Sequence, residues 1–252
     1  MKAMRPRIAI PVPHSGDPDY AARALPQYER AVEMAGGEPV RIPLDQPLGE
    51  VRPLIEGCDA VLLPGSPADV DPAKYAAARD PKTADADAKR DRADELLLRD
   101  AYNLRKPVLG ICYGLQILNV YRSGSLIQHI ESPVNHEAGR KLPVAHTIDV
   151  APGSKLAEVV QDTGMDLGKL PVNSSHHQSV DAAGVGLRIV ARCREDGVVE
   201  AIEGTAPDHF VLAVQWHPER SVDDDAPSRA IFSALVKAAQ TRHRELLGEV
   251  KT

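Results

Sequence analysis

The sequence predicts an α/β protein whose mostly parallel sheet is flanked by helices and continued, in the second half of the chain, by a smaller antiparallel extension. Two observations predict this class. Short apolar segments alternate with longer helical ones through the first half, and such alternation is typical of parallel strands joined by helices. The second half contains four apolar, strand-like segments and few helical ones, which favours antiparallel strands added to the same sheet.

The elements of the first half are bounded by residues that stop a helix or a strand. Gly36 and Gly37 end the first helix, and Pro64-Gly65 interrupts the third strand. The fourth strand runs directly into a helix that begins near Tyr113. The predicted strands cover residues 7–12, 38–43, 60–63 and 106–111, and the predicted helices cover residues 19–35, 91–104 and 113–121.

The second half is predicted to contain strands at residues 144–150, 187–192, 198–202 and 210–216, followed by an amphipathic helix from Ser228 to about Leu247. The segment RDPKTADADAKRDR (79–92) is polar and poor in large apolar residues, so we expect an exposed loop there. Because no linker is long enough to divide the chain, residues 1–252 are predicted to form one domain.

Composition and charge exclude several classes of protein. The 30 basic and 36 acidic residues give a net charge of −6, which lacks the basic excess of a general nucleic-acid binder. No apolar run reaches the roughly 18 residues that span a bilayer. Three cysteines are too few for a disulfide scaffold, and no signal-like apolar segment follows the basic N-terminus. We therefore expect a cytoplasmic protein with no nucleic-acid or membrane partner.

Cys112 lies in the pattern G-x-C-x-G at residues 110–114, between a buried strand and a helix. This is the thiol form of the nucleophile elbow, where glycines on both sides prevent a collision across a sharp turn. A helix N-terminus favours the thiolate, so we expect a lowered pKa and fast reaction with thiol reagents. Cys58 and Cys193 lack these surroundings and are predicted to be structural.

A thiol nucleophile needs a base, and His217-Pro218-Glu219 supplies the best candidate. In extended chain, residues two apart point to the same side, so Glu219 is expected to orient the imidazole of His217. The developing oxyanion needs N–H donors, for which we predict Gly65, Ser66 and the residue after the nucleophile, Tyr113. Taken alone, each of these two loops would be read as an ordinary turn.

With these residues in place, the chain resembles class I glutamine amidotransferases and, more narrowly, the gamma-glutamyl-gamma-aminobutyrate hydrolases, which are grouped with gamma-glutamyl hydrolases among cysteine peptidases. Two departures from that family stand next to the elbow. The family usually has a basic residue where this chain has Tyr113, and small residues with a Gly-Gly pair where this chain reads NVYRSG. The motifs that carry the resemblance are residues 64–72, 106–112, 115–120, 123–126, 172–178, 196–201 and 215–219.

The resemblance implies a flavodoxin-like three-layer sandwich and a Cys112–His217–Glu219 triad that cleaves a gamma-glutamyl amide through a thioester. It implies that Gln116, Ser175 and His176 contact the glutamyl part of the substrate. The implied partner is a small gamma-glutamyl amide, in the setting of polyamine catabolism, with no metal and no organic cofactor. The departures leave the identity of the released amine open, and the sequence also leaves a homo-oligomer open.

Two other functions fit the same motifs. A glutaminase subunit would deliver ammonia to a partner synthase, and a binding protein would use the fold without catalysis. Motifs outside the triad favour the hydrolase, and an intact triad disfavours the binding protein. A metal site is not expected, because the spacing of the histidines between 129 and 177 fits no common zinc pattern.

Overall fold

A nine-stranded sheet forms the centre of the protein in a computed structural model that describes residues 5–246. The strands are β1 (Arg7–Pro11), β2 (Glu38–Ile42), β3 (Ala60–Leu63), β4 (Val108–Ile111), β5 (Leu126–Ile127), β6 (His146–Val150), β7 (Leu170–Val172), β8 (Ser179–Val180), β9 (Leu187–Cys193), β10 (Val199–Gly204) and β11 (Val211–Val214). The helices are α1 (Pro18–Met34), α2 (Leu48–Glu56), α3 (Ala88–Leu104), α4 (Tyr113–Tyr121), α5 (Lys155–Gln161) and α6 (Ala226–Leu246).

The strand order is β2-β1-β3-β4-β11-β10-β9-β6-β7, and β5 and β8 form a separate small ribbon. The first five strands of this order are parallel, and the remaining pairs are antiparallel. This arrangement confirms the predicted fold class. One strand differs from the prediction, because β11 belongs to the second half of the chain but lies parallel to β4. The parallel part of the sheet and its antiparallel extension therefore meet at β11, which pairs with β4 on one side and with β10 on the other.

Helices cover both faces of the sheet, since successive strand side chains point to opposite faces. Ile8 and Ile10 of β1 pack in one buried cluster with side chains of α1, α5 and α6. Ala9, between them, packs in a second cluster with side chains of α2, α3 and α4. The parallel strands are apolar on both sides for this reason, and the result is three layers.

The helix ends follow local chemistry. The Asp17 side chain accepts a hydrogen bond from the Tyr20 N–H at the start of α1, and Gly36 takes a positive φ of 89° after its end. Helices α2 and α5 were not predicted: α2 contains Pro53 in its interior, and α5 has only 7 residues. The predicted end of the last helix at Leu247 lies outside the described residues.

The segment 79–92 is not the exposed loop that was expected, because its last residues belong to a helix and several of its side chains are buried. Helix α3 begins at Ala88 rather than at residue 91, and Asp87 caps it by accepting from the Lys89 and Arg90 N–H groups. The Arg90 side chain is completely buried. Its charge is compensated by Asp94 and by two backbone carbonyls, and composition alone cannot show such partners.

Within residues 5–246, no helix has the length and apolar character needed to cross a membrane.

Candidate active site

Cys112 sits at the turn between β4 and α4, in the middle of the sheet. Its φ and ψ are 53° and −108°, a region that residues other than glycine rarely occupy. The Cys112 N–H donates to the Val214 carbonyl over 2.9 Å, and the Cys112 carbonyl accepts from the Leu115 and Gln116 N–H groups. The turn is thus held from both sides in a strained conformation, which is the geometry of a nucleophile elbow.

The glycines on either side of the elbow are required by close approaches of the backbone. A Cβ on Gly110 would lie 2.7 Å from the Gly114 carbonyl oxygen. A Cβ on Gly114 would lie only 2.1 Å from the Leu63 carbonyl oxygen. These are the collisions that the sequence pattern predicts, and the second one is with the neighbouring strand β3.

Replacing Gly114 by alanine is expected to destabilise the protein by about 3 kcal/mol or more, at the upper end of the cost of overpacking, because the obstacle is backbone rather than a movable side chain. Urea unfolding followed by circular dichroism would measure the loss. Gly49→Ala is the matched control, since a Cβ there meets no atom within 4 Å and alanine favours the α2 helix. If the two variants proved equally stable, the backbone of the elbow would have to move away from a Cβ at residue 114 without a loss of stability.

His217 follows β11, and because β11 lies beside β4 its position is next to the elbow. The His217 Nδ1 atom is 2.8 Å from Glu219 Oε1, and both side chains are buried. This pairing was predicted, but its geometry differs: residues Pro218–Arg220 form a 3-10 turn rather than extended chain. The His217 Nε2 atom is buried and has no hydrogen-bond partner within the part of the chain that the structure describes.

Asn173 holds the backbone of His217 on both sides, and the sequence had not singled it out for this role. Its Oδ1 accepts from the His217 N–H over 3.0 Å, and its Nδ2 donates to the His217 carbonyl over 2.9 Å. Its place in the segment VNSSHHQ was a signal of the site, but its partner could not be inferred before the strands were placed. Asn173 therefore restrains the candidate base independently of Glu219.

Gly65, at the end of β3, lies between Cys112 and His217. A Cβ on Gly65 would be 3.0 Å from His217 Cε1 and 3.6 Å from Cys112 Cβ. The nucleophile candidate and the base candidate are therefore brought together around a residue that has no side chain. Any larger residue at this position would enter the space between them.

The three predicted oxyanion donors lie around the elbow. The Gly65 N–H donates to the Tyr28 hydroxyl of α1 over 3.0 Å, and Tyr28 is a residue that the sequence analysis missed. Ser66 follows Gly65 and is half-buried, with its hydroxyl accepting from the Ala68 N–H. The Tyr113 N–H lies close enough to the Cys112 thiol to lower its pKa. The role of Gly65, Ser66 and Tyr113 as oxyanion donors stays a prediction.

The charges of the site correct the expected thiolate. Burial raises the pKa of Cys112 to about 12, although Arg220 and the Tyr113 N–H act in the opposite direction. Burial also lowers the pKa of His217, against the influence of Glu219. Both directions favour the neutral thiol and the neutral imidazole over the ion pair. The helix N-terminus is outweighed because desolvation penalises the anion more strongly than the helix favours it.

The other two thiols have ordinary structural contacts. Cys58 donates to the Leu54 carbonyl over 3.1 Å, and Cys193 donates to Glu195 over 3.2 Å. Burial raises the pKa of both, as it does for Cys112. Faster modification of Cys112 stays a prediction, and it now depends on proton transfer to a neighbouring base rather than on a resting thiolate.

The three residues expected to contact a glutamyl group line the polar interior beside the elbow. Gln116 is buried on α4, with its Nε2 3.3 Å from the Gln178 carbonyl and from Gln215 Oε1. Ser175 is half-buried. His176 is buried, and its Nδ1 is 2.9 Å from the Gln178 carbonyl. The structure places these residues near one another, and their role in binding stays a prediction.

The Tyr113 side chain turns away from the site into the core. It is 1% exposed, its hydroxyl hydrogen-bonds to Asp91, and the Arg90 guanidinium lies 5.0 Å from the centre of its ring. Tyr113 and Arg90 of α3 therefore pack together inside the protein.

This fold, with a nucleophile elbow at the centre of the sheet, defines a protein of the class I glutamine amidotransferase-like type. The crystal structure of a provisionally named GMP synthase component from Thermoplasma acidophilum superposes with a TM-score of 0.64 at 15% identity, over 97% of this chain and 98% of that one. Residues 12–219 match the Peptidase C26 family, and the chain belongs to that family.

Curated relatives agree with this assignment and confirm the resemblance seen in the sequence. The gamma-glutamyl-gamma-aminobutyrate hydrolase PuuD of Escherichia coli strain K12 is 34% identical, with 88% of each chain covered. A provisionally named glutamine amidotransferase of Mycobacterium tuberculosis is 39% identical over 88% of this chain and 69% of its own. Protein NtpR of Enterococcus hirae is 30% identical over 83% and 87%. Family membership supports a hydrolase that acts on amide bonds.

Proposed function

We propose that the protein is a cysteine-dependent hydrolase that cleaves the gamma-glutamyl amide bond of a small gamma-glutamyl amine. The observation that carries the proposal is the closeness of a strained Cys112 to a buried His217 whose Nε2 has no partner in residues 5–246. A strained, non-glycine turn persists only where the surrounding structure enforces it. The similarity to a gamma-glutamyl-gamma-aminobutyrate hydrolase supports the choice of substrate class.

Catalysis begins with attack of the Cys112 sulfur on the gamma-carbonyl carbon. As the carbon–sulfur bond forms, the thiol proton passes to His217 Nε2, and the Glu219 carboxylate stabilises the imidazolium. The Ser66 and Tyr113 N–H groups are the donors for the oxyanion, and loss of one such donor typically costs about 2.7–4 kcal/mol in the transition state. Because the thiolate is the nucleophile, the proton must leave the sulfur before or as the carbon–sulfur bond forms.

Collapse of the tetrahedral intermediate breaks the carbon–nitrogen bond. His217 returns the proton to the leaving nitrogen, which departs as a neutral amine and leaves a glutamyl thioester on Cys112. Water then attacks the thioester carbonyl, with His217 taking its proton and the same donors binding the oxyanion. Release of glutamate restores the thiol. Gln116 and Ser175 are proposed to hold the glutamyl group during both steps.

Purified protein assayed with gamma-glutamyl-GABA and with glutamine, in separate reactions, tests the proposal. We expect glutamate and GABA from the first substrate with a higher kcat/KM than ammonia release from glutamine. Activity on glutamine that appears only with a partner synthase would instead indicate a glutaminase subunit. Turnover of neither substrate would overturn the hydrolase proposal for this substrate class. The polyamine-catabolic setting stays a prediction.

Glu219→Gln is expected to move the acid limb of the rate profile to lower pH. The Glu219 carboxylate raises the pKa of His217 against the lowering effect of burial, so its removal leaves the imidazole harder to protonate. An opposite charge at this distance typically shifts a pKa by about 1–3 units. The base would therefore stay neutral at lower pH, although kcat falls ~10⁴-fold because the imidazolium and its tautomer lose their support.

The pKa of His217 in this variant can be followed by NMR titration of the imidazole, and kcat/KM by assay between pH 4 and 8. Glu33→Gln, at an exposed position of α1, is the matched control and is expected to change neither quantity. A higher pKa of His217 in the Glu219 variant would contradict the assigned pairing.

A further inference from the structure

Three histidines surround one carboxylate in the interior beside the candidate active site. Glu200 of β10 is completely buried, and its Oε1 is 3.4 Å from His136 Nδ1, 3.0 Å from His146 Nε2 and 3.5 Å from His176 Nε2. The histidines come from the loop after β5, from the start of β6 and from the loop after β7. Because three separate segments meet here, spacing along the chain could not reveal the group.

Two of the histidines are oriented by contacts on their far sides. His136 Nε2 is 2.9 Å from the Asp196 carboxylate, and His176 Nδ1 is 2.9 Å from the Gln178 carbonyl. Each ring therefore directs its other nitrogen at Glu200. A histidine that donates one N–H to a carboxylate or a backbone carbonyl while presenting its other nitrogen inward is the usual arrangement around a metal ion.

The inward atoms lack hydrogen-bond partners. Among residues 5–246, His136 Nδ1, His176 Nε2 and Glu200 Oε2 are buried side-chain atoms with no hydrogen bond. Leaving such atoms unpaired typically costs about 1–3 kcal/mol each. One possible ligand atom from each of the three residues, a ring nitrogen or a carboxylate oxygen, lies within 4.8 Å of the others, which makes them a candidate ligand set for a single ion.

The spacing of these atoms suits a tetrahedral ion better than direct hydrogen bonds. Zinc binds nitrogen and oxygen at about 2.0–2.1 Å, so two ligand atoms of a tetrahedral site lie roughly 3.3 Å apart. The His136 and His176 nitrogens are 3.4 Å and 3.5 Å from Glu200 Oε1. Hydrogen bonds between an imidazolium and a carboxylate are shorter, about 2.7–2.9 Å.

We propose that His136 Nδ1, His176 Nε2 and the Glu200 carboxylate bind a divalent first-row transition metal ion, with zinc as the expected metal. Two imidazoles and a carboxylate are a recurrent ligand set for such ions. His146 hydrogen-bonds to Glu200 Oε1 and orients the carboxylate from outside. The proposed site departs from the expectation of no metal, and it assigns His176 to the ion rather than to the glutamyl group.

The proposed site is structural rather than catalytic. Its ligands are nearly or completely buried, and the ion would tie two loops to β10. The Glu200 carbonyl also accepts from the Gln215 N–H over 2.7 Å, two residues before His217. The ion would thereby stiffen the segment that carries the candidate base, without touching the reacting atoms.

Metal uptake by the purified, chelator-stripped full chain tests this proposal without any assay of activity. After one equivalent of Co²⁺ or Zn²⁺ and gel filtration, elemental analysis is expected to find about one ion per chain, and bound Co²⁺ is expected to show the intense visible bands of a low-coordinate site. Glu200→Gln is expected to abolish both signals. Wild-type protein that takes up no ion would overturn the proposal.

Two further variants keep the test decisive if Glu200→Gln fails to fold. Asp196→Asn keeps all three ligands and weakens the orientation of His136, so a 10–100-fold loss of affinity is expected. His243→Asn is the matched control, because His243 pairs with Asp59 far along the chain from the cluster and its loss should leave uptake unchanged. Uptake that falls in His243→Asn but not in Asp196→Asn would also overturn the site.

Discussion

Replacing Cys112 by alanine is expected to lower kcat by ~10⁴-fold or more for hydrolysis of gamma-glutamyl-GABA, because removal of a catalytic nucleophile eliminates the covalent route. The fold should persist, since alanine keeps the Cβ atom and fills most of the same buried space. Glutamate release in a coupled assay measures the loss. Cys58→Ala is the matched control, because that thiol is equally buried but lies away from the elbow. Retained turnover in the Cys112 variant would overturn the proposed function.

The same position provides a stability test of the elbow. Glycine normally destabilises a protein relative to alanine, but it adopts positive φ without strain. At a φ of 53°, Cys112→Gly is therefore expected to be more stable than Cys112→Ala by about 1 kcal/mol, a reversal of the usual order. Urea unfolding of the two variants measures the difference. A less stable glycine variant would show that the turn is not strained.

The second large effect is expected at Arg90. Its Nε lies 2.9 Å from both oxygens of Asp94, and its terminal nitrogens donate to the carbonyls of Pro13 and Pro64. Arg90→Met would leave a buried carboxylate and two carbonyls without their partner. Breaking a buried ion pair in this way typically costs about 3–5 kcal/mol, and we expect a loss of that size in the free energy of unfolding.

Arg92→Met provides the matched control, since Arg92 lies two residues away on the same helix but is exposed. It is expected to change stability by less than about 0.5 kcal/mol. The double variant Arg90→Met, Asp94→Leu should recover part of the loss, because it removes the uncompensated charge as well. If Arg90→Met proves as stable as Arg92→Met, the buried pair does not hold the ends of β1 and β3.

Local sequence patterns predicted the candidate reactive residues of the site but not the residues that hold them in place. The elbow was readable because G-x-C-x-G between a strand and a helix is a contiguous motif, and the structure shows why each glycine is needed. The pairing of His217 with Glu219 was also local. Arg90, Asn173 and Tyr28 were missed as supporting residues, because each acts through contacts with segments distant in sequence.

The pKa of Cys112 was the property that the sequence predicted least well. A helix N-terminus predicts a low pKa for Cys112, but the pKa depends on how much water reaches the sulfur, and only the folded structure determines that. The cluster around Glu200 illustrates the same limit. Its histidines were visible in the sequence and their convergence was not, because β6, β7 and β10 are brought together only when the sheet forms.

The sequence by itself therefore determined the fold class, the family and the identity of the nucleophile candidate, since periodicity and a contiguous motif are properties of short segments. The tertiary structure decided which residues surround that nucleophile. In the folded protein β11 lies at the centre of the sheet, parallel to β4, and this position brings His217 next to Cys112. The physical reason is that hydrogen bonding between strands and the burial of side chains depend on partners that the chain order does not specify.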